Sequence, residues 1–146
     1  MAAATLMRPA ARTGVVEPAA TDRLLTAARA ALAEADVATD AGERYAAAHL
    51  AALRAAAAVL AARALPATGR ARRPASAWTL LTQVAPDVAE WAAYFAAGAD
   101  KRAAAQAGIR GAVSTREADD LLRDSAEFVS LVEAMLGMLP LGDVLR

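Results

Sequence analysis

Apolar side chains recur at three- and four-residue spacings in several stretches of the chain, which is the period of an amphipathic α-helix. The first stretch follows Thr21 and Asp22, either of which could cap the start of a helix. The second is longer and runs from about residue 43 to residue 64, with many alanines that would let neighbouring helices approach closely. These two stretches predict a pair of packed helices.

Two further helical regions follow a segment rich in proline and arginine, which predicts an exposed loop over residues 65–74. Ser76 is predicted to cap a short helix that buries Trp78 and Leu81. Pro86 is predicted to begin a longer helix that ends near Gly108. The buried positions of this longer helix are predicted to be Val88, Trp91, Ala92 and Phe95.

The last helix has recognisable signals at both ends. Ser114 and Glu117 have the spacing of a capping box, and Gly137 is a natural stop. Its opposite face carries a row of acidic residues, for which the simplest interpretation is a solvated surface. The residues predicted to face the core are Ala118, Leu121, Leu122, Ser125, Phe128, Val129, Val132, Met135 and Leu136.

Together these elements predict an all-α fold, an up-and-down antiparallel helical bundle of four to five helices. We expect a disordered N-terminal arm over residues 1–20, the bundle over residues 21–137, and an apolar C-terminal tail over residues 138–146. The tail is too apolar for a free end, so we expect it to dock on its own bundle or on a second chain.

The composition excludes several kinds of chemistry but does not identify a function. Of 146 residues, 46 are alanine, one is histidine and none is cysteine. Cysteine-based catalysis, disulfides and multi-histidine metal centres are therefore excluded within one chain, and we expect neither a bound metal nor a cofactor. With no secretory signal and no uncharged apolar run long enough to cross a bilayer, we expect a cytoplasmic protein without a membrane partner.

Charge is balanced overall but unevenly distributed, with 16 basic and 16 acidic residues in the whole chain. Residues 63–110 carry seven cations and three acids, whereas residues 111–146 carry three cations and seven acids. Arg63, Arg70, Arg72 and Arg73 form the most concentrated basic patch and are our candidates for nucleic-acid binding. A solvated connector would have the same composition, and no aromatic residue interleaves the patch to stack a base.

His49 is the one side chain whose ordinary pKa lies near neutral pH, which makes it the first catalytic candidate. On a helical wheel it lies near the middle of the apolar arc, which favours a buried histidine bonded to one neighbour. The alternative pairs His49 as acid-base with Arg44 as phosphate clamp in a metal-independent ribonuclease. These two side chains are about 140° apart on one helix, so that site would need a groove edge or a second subunit.

Two segments resemble a known family. Residues 44–60, beginning Arg44-Tyr45-Ala46-Ala47-Ala48-His49, resemble the second helix of HEPN domains, and residues 113–122 resemble the start of their last helix. The segments Ser-Ala-Trp-Thr-Leu-Leu and Pro-Asp-Val-Ala-Glu-Trp are similar to a small alanine-rich HEPN branch of high-GC bacteria. The resemblance covers about residues 21–137 and implies a helical bundle, often dimeric, in a superfamily that includes ribonucleases and inactive RNA- or protein-binding forms.

Ribonuclease members of that superfamily carry an arginine with a histidine four to six positions later, typically towards the last helix. Here the last helix has Arg116 and Arg123 but no histidine, and only Arg44 and His49 have the spacing. Our leading hypothesis is therefore a non-catalytic, homodimeric binding module for RNA, a nucleotide or a protein partner. The alternatives are a metal-independent endoribonuclease using Arg44 and His49, and a purely structural subunit of a complex.

Overall fold

A computed structural model describes residues 18–63 and 74–137, and these residues contain helices and no strand. The predicted all-α bundle is therefore confirmed, with six α-helices in the described part where four to five were predicted. One 3-10 turn, Pro86–Val88, leads into the fourth helix. The helices are α1 (Pro18–Val37), α2 (Ala41–Ala62), α3 (Pro74–Val84), α4 (Ala89–Ala97), α5 (Ala99–Gln106) and α6 (Thr115–Met135).

Three long helices form the frame of the bundle, with α2 packed extensively against both α1 and α6. Arg44 at the start of α2 contacts Asp119 at the start of α6 and the Ala35 carbonyl near the end of α1. Arg29 in the middle of α1 contacts Glu133 near the end of α6. Helix α1 is therefore antiparallel to α2 and α6, and α3 to α5 cover the remaining side of α2.

The central helix is α2, whose alanines are buried along most of its length. Alanine has no side chain beyond Cβ, so neighbouring backbones can approach α2 closely. By length and composition α2 could also cross a membrane, and it is the one helix of the described part that could. More than half of its most apolar window is buried inside the bundle, which is the position of a core helix.

An aromatic cluster fills the space between α2, α3, α4 and α6. The rings of Trp78 and Phe95 stack with centroids 5.3 Å apart, and Phe95 lies 5.2 Å from Phe128. Trp78 and Leu81 are buried, as the sequence predicted. Because aromatic rings bury large apolar areas, this cluster compensates for the small volume of the alanine-rich helices.

The helix starts are partly as predicted. The Ser114–Glu117 capping box is present, with Ser114 accepting from the Glu117 amide and the Glu117 carboxylate accepting from the Ser114 amide. The predicted caps of the first and third helices are wrong, because α1 already begins at Pro18 and α3 at Pro74. Proline is favoured in the first turn because its fixed φ suits a helix and its missing N–H would have had no partner.

One helix predicted to run from Pro86 to Gly108 is divided in the structure. Gly98 lies between α4 and α5 and ends the first of them, while Gly108, with φ of +77°, follows the second. Gly137 has φ of +70° just after α6, as expected for a glycine that ends a helix.

Three predictions concern residues outside the described part. They are most of the disordered N-terminal arm, the exposed loop that holds Arg70, Arg72 and Arg73, and the apolar tail over residues 138–146.

Candidate functional site

His49 lies on the face of α2 that packs against α3 and α4, and its side chain is fully buried. Its Nε2 donates a hydrogen bond of 2.9 Å to the backbone carbonyl of Phe95. The rings of Trp78 and Phe95 both meet the imidazole edge-on, at 6.0 and 6.1 Å between centroids. The apolar arc of the sequence therefore located His49 correctly, as a buried histidine bonded to one neighbour.

The environment of His49 determines its protonation state. Burial lowers its pKa, the bond to the Phe95 carbonyl opposes this effect, and the positive charge of Arg102 lowers the pKa further. The ring is therefore neutral near pH 7, with the proton on Nε2 because a carbonyl can only accept. Nδ1 is then a bare acceptor, and it has no hydrogen-bond partner within the described residues.

Arg44 is occupied at the opposite side of α2. Its guanidinium donates to the backbone carbonyls of Ala35 at 3.0 Å and Ala38 at 2.8 Å, where α1 ends. Its Nη1 pairs with Asp119 at 2.5 Å. Arg44 thus adds charged donors to carbonyls at the C-terminal end of α1 and joins that end to α6. Within this chain the structure does not bring Arg44 and His49 together.

Of the four arginines predicted for nucleic-acid binding, the structure describes Arg63. Its exposed side chain donates to the carbonyl of Val84 at 2.9 Å, which joins the end of α2 to the end of α3. The described geometry therefore gives Arg63 a local structural contact and does not test the patch as a whole.

A cavity of about 310 Å³ lies between α2, α4, α5 and α6, and we call it the inner cavity. His49 forms part of its wall, together with three other aromatic rings and an ion pair between Lys101 and Glu117. This cavity is not apparent from the sequence, because its walls come from four helices that are distant in sequence. The lining residues are Tyr45, His49, Tyr94, Phe95, Ala97, Gly98, Lys101, Glu117, Asp120 and Leu121.

Electrostatic effects around the inner cavity follow from burial and close pairs. Burial raises the pKa of Tyr45, while the nearby Lys101 ammonium opposes that shift. The pKa of Tyr94 is raised by burial first and then by its 2.6 Å bond to the Asp124 carboxylate. Hydrogen bonds from Lys101 and from the Ser114 amide lower the pKa of Glu117. Both phenols are therefore neutral and Glu117 is ionised at pH 7.

Gly98 determines the shape of the inner cavity. A Cβ at this position would lie 2.6 Å from the Tyr45 hydroxyl oxygen, which is closer than real Cβ contacts allow. The absence of a side chain at residue 98 therefore makes room for the Tyr45 phenol.

A larger groove runs along the surface where α1 ends, α2 begins and α5 passes, and we call it the acidic groove. It consists of hollows of about 780 Å³ and about 610 Å³ that share Asp40, Glu43, Ala105 and Gly108. Apolar side chains from α2, including Leu50, form part of its floor. The residues of the larger hollow are Glu34, Val37, Ala38, Asp40, Glu43, Ala46, Ala47, Leu50, Ala105, Gln106 and Gly108.

Two features characterise the acidic groove. Glu34, Asp40 and Glu43 line it, and none of them forms an ion pair within the described residues. Val37 and Ile109 also line it and are 77% and 59% exposed, the two most exposed large apolar side chains of the described part. An apolar floor bordered by unpaired carboxylates is chemically suited to a cationic, amphipathic ligand.

No group of three metal-ligating side chains is close enough to hold an ion in the part of the chain that the structure describes.

The helical frame, the capped last helix and the buried aromatic cluster define a small all-α bundle of the HEPN type. The SAV_6107-like HEPN family matches residues 35–133, and the chain belongs to this family. Comparison with curated proteins and with solved structures gave no match. The match covers α2 to α5 and nearly all of α6, which includes both the inner cavity and most of the acidic groove.

Proposed function

We propose that this protein is a non-catalytic HEPN-type binding module that holds a cationic, amphipathic segment of a partner protein in the acidic groove. The observation that carries the proposal is the combination, in one groove, of an apolar floor with three unpaired carboxylates. Burying exposed apolar area favours association, and the carboxylates select a segment with lysine or arginine at its edges.

The charge of the groove favours a protein over RNA. Phosphate backbones carry a negative charge at every nucleotide, and binding them requires clustered cations. Glu34, Asp40 and Glu43 would instead repel such a backbone, and Arg110 is the one cation that lines the groove. Binding of RNA or a nucleotide through Arg63, Arg70, Arg72 and Arg73 stays a separate prediction.

The positions of His49 and Arg44 support a non-catalytic role. A general base must reach the proton that it removes, whereas His49 is enclosed and its Nε2 is bonded to Phe95. A phosphate clamp needs free guanidinium donors, whereas Arg44 donates to the end of α1 and to Asp119. The endoribonuclease that uses this pair is therefore the less favoured hypothesis.

The catalytic alternative is tested with purified protein, total RNA and EDTA. We expect no cleavage above that of a mock preparation. Cleavage that disappears in both His49→Gln and Arg44→Lys, while these variants keep the circular dichroism spectrum of a folded helical protein, would overturn the non-catalytic proposal.

Groove binding is tested with a labelled helical peptide of leucine and lysine and its counterpart of leucine and glutamate, by fluorescence anisotropy. A variant with Glu34→Gln, Asp40→Asn and Glu43→Gln removes three charges, and Asn keeps the ability to cap α2. A control with Asp87→Asn, Glu90→Gln and Glu127→Gln changes the net charge equally at exposed sites outside the groove.

We expect the lysine peptide to bind the wild type and the control, and to bind the groove variant about tenfold more weakly, since each rim pair contributes up to about 1 kcal/mol. Binding should weaken with added salt. Equal binding to the groove variant and the control, or preference for the glutamate peptide, would contradict the proposal.

The predicted homodimer and the structural-subunit hypothesis each have a separate test. The predicted homodimer is tested by analytical ultracentrifugation of the wild type and the groove variant. If the wild type is a dimer and the groove variant is a monomer, a second copy of this chain occupies the acidic groove, and the partner proposal is overturned. The structural-subunit hypothesis predicts that removing residues 138–146 abolishes partner binding while the bundle stays folded.

A further inference from the structure

We propose that the inner cavity is a binding site for a small planar cation that carries N–H donors, such as an amidinium or a protonated nitrogen heterocycle. This site is separate from the acidic groove, and the inference does not depend on the proposed function.

The walls of the inner cavity favour a flat, positively charged molecule. Tyr45 and Tyr94 line it, and aromatic rings attract cations. Its volume of about 310 Å³ is at the lower end of the range for ligand sites, so the occupant is small.

The polar side chains that line the cavity include an acceptor with spare capacity. Asp120 lines the cavity, and its contact with Arg123 uses one carboxylate oxygen, Oδ1. The ammonium of Lys101 is already paired with Glu117. The other carboxylate oxygen of Asp120 can therefore accept a hydrogen bond from an N–H group of a ligand.

The charges that line the cavity add to the same preference. One cation, Lys101, stands against two carboxylates, Glu117 and Asp120. Arg123, which pairs with Asp120, offsets part of this negative charge, but a carboxylate or phosphate ligand would still lie beside both carboxylates, whereas a cationic ligand is attracted to them.

The test uses benzamidinium as probe, with benzoate and benzyl alcohol as anionic and neutral molecules of similar size. His49 is the one histidine of the chain, so its imidazole ¹H and ¹⁵N signals report on the cavity wall without ambiguity. We expect millimolar benzamidinium to shift the His49 signals in a saturable way. Benzoate and benzyl alcohol should bind at least about threefold more weakly.

Asp120→Asn removes one carboxylate and should weaken benzamidinium binding about three- to tenfold. Glu127→Gln is the matched control, because Glu127 is exposed on the same helix and does not line the cavity. No saturable shift of His49, equal binding of benzoate, or equal affinity of Asp120→Asn and the control would each overturn the inference.

Discussion

The imidazole of His49 and the backbone carbonyl of Phe95 form a 2.9 Å hydrogen bond that joins the middle of the central helix to α4. The bond occupies the nitrogen that carries the proton and fixes the tautomer of the neutral ring. A histidine held in this way contributes to the packing of α2 against α3 and α4, which accounts for its presence in an otherwise apolar core.

We expect the pKa of His49 to lie below its ordinary value of about 6.5, because burial disfavours the charged imidazolium. The unfolded chain then binds a proton more readily than the folded one. The free energy of unfolding therefore has its full contribution from neutral His49 above about pH 6.5, and this contribution is lost as the pH falls below that value. Urea unfolding of wild type and His49→Gln between pH 7.5 and 5 measures this effect.

Between those pH values the stability of the wild type should decrease more steeply than that of His49→Gln. Parallel pH profiles for the two proteins, or an NMR titration of His49 with a pKa above 6.5, would contradict this interpretation.

Arg44→Ala should destabilise the fold by about 1–3 kcal/mol, because the carbonyls of Ala35 and Ala38 lose a charged hydrogen-bond donor. Asp119→Ala should cost less, because Asp119 is about half exposed and surface ion pairs are weak. Urea midpoints measure both effects. An Arg44→Ala variant no less stable than Asp119→Ala would show that the backbone contacts of Arg44 matter little.

Gly98→Ala should destabilise the protein by about 1–3 kcal/mol through steric overlap with the Tyr45 hydroxyl. Tyr45→Phe alone should have a small effect, because it keeps the buried ring and removes one oxygen atom. In the double variant the overlap is removed, so Tyr45→Phe should restore much of the stability lost in Gly98→Ala. If the change in melting temperature of the double variant equals the sum of the changes in the two single variants, this contact is not the cause.

Ser114→Ala should cost about 1 kcal/mol, because the amide of Glu117 loses its acceptor at the start of α6. The control is Thr115→Ala at the next position, which is exposed and is not the capping residue. Urea unfolding measures both variants. Equal free energies of unfolding for Ser114→Ala and Thr115→Ala would argue against a stabilising capping box.

The sequence predicted those features that depend on residues near each other in the chain. The capping box of Ser114 and Glu117 and the stop at Gly137 are local signals, and the burial of His49 and Trp78 follows from helical periodicity. The division of one predicted helix at Gly98 was missed, because the reason for that glycine is the Tyr45 phenol of another helix.

The candidate sites were harder to predict for the same reason. Arg44 has the spacing of a catalytic arginine, but its partners at Ala35 and Asp119 become neighbours only when α1 and α6 pack beside α2. The acidic groove likewise combines residues of three helices, and a linear pattern shows their charges without showing that they share one surface.

The proposed role of the acidic groove requires that a cationic amphipathic peptide binds there. Backbone amide chemical shifts of ¹⁵N-labelled protein, recorded during titration with the leucine–lysine peptide, locate that site directly. We predict that the largest shifts occur at Val37, Glu43, Ala47, Leu50 and Ala105, around the acidic groove. If the largest shifts instead occur on the outer face of α6 or around Arg63, or if RNA produces the same shifts as the peptide, the proposed binding in the acidic groove is contradicted.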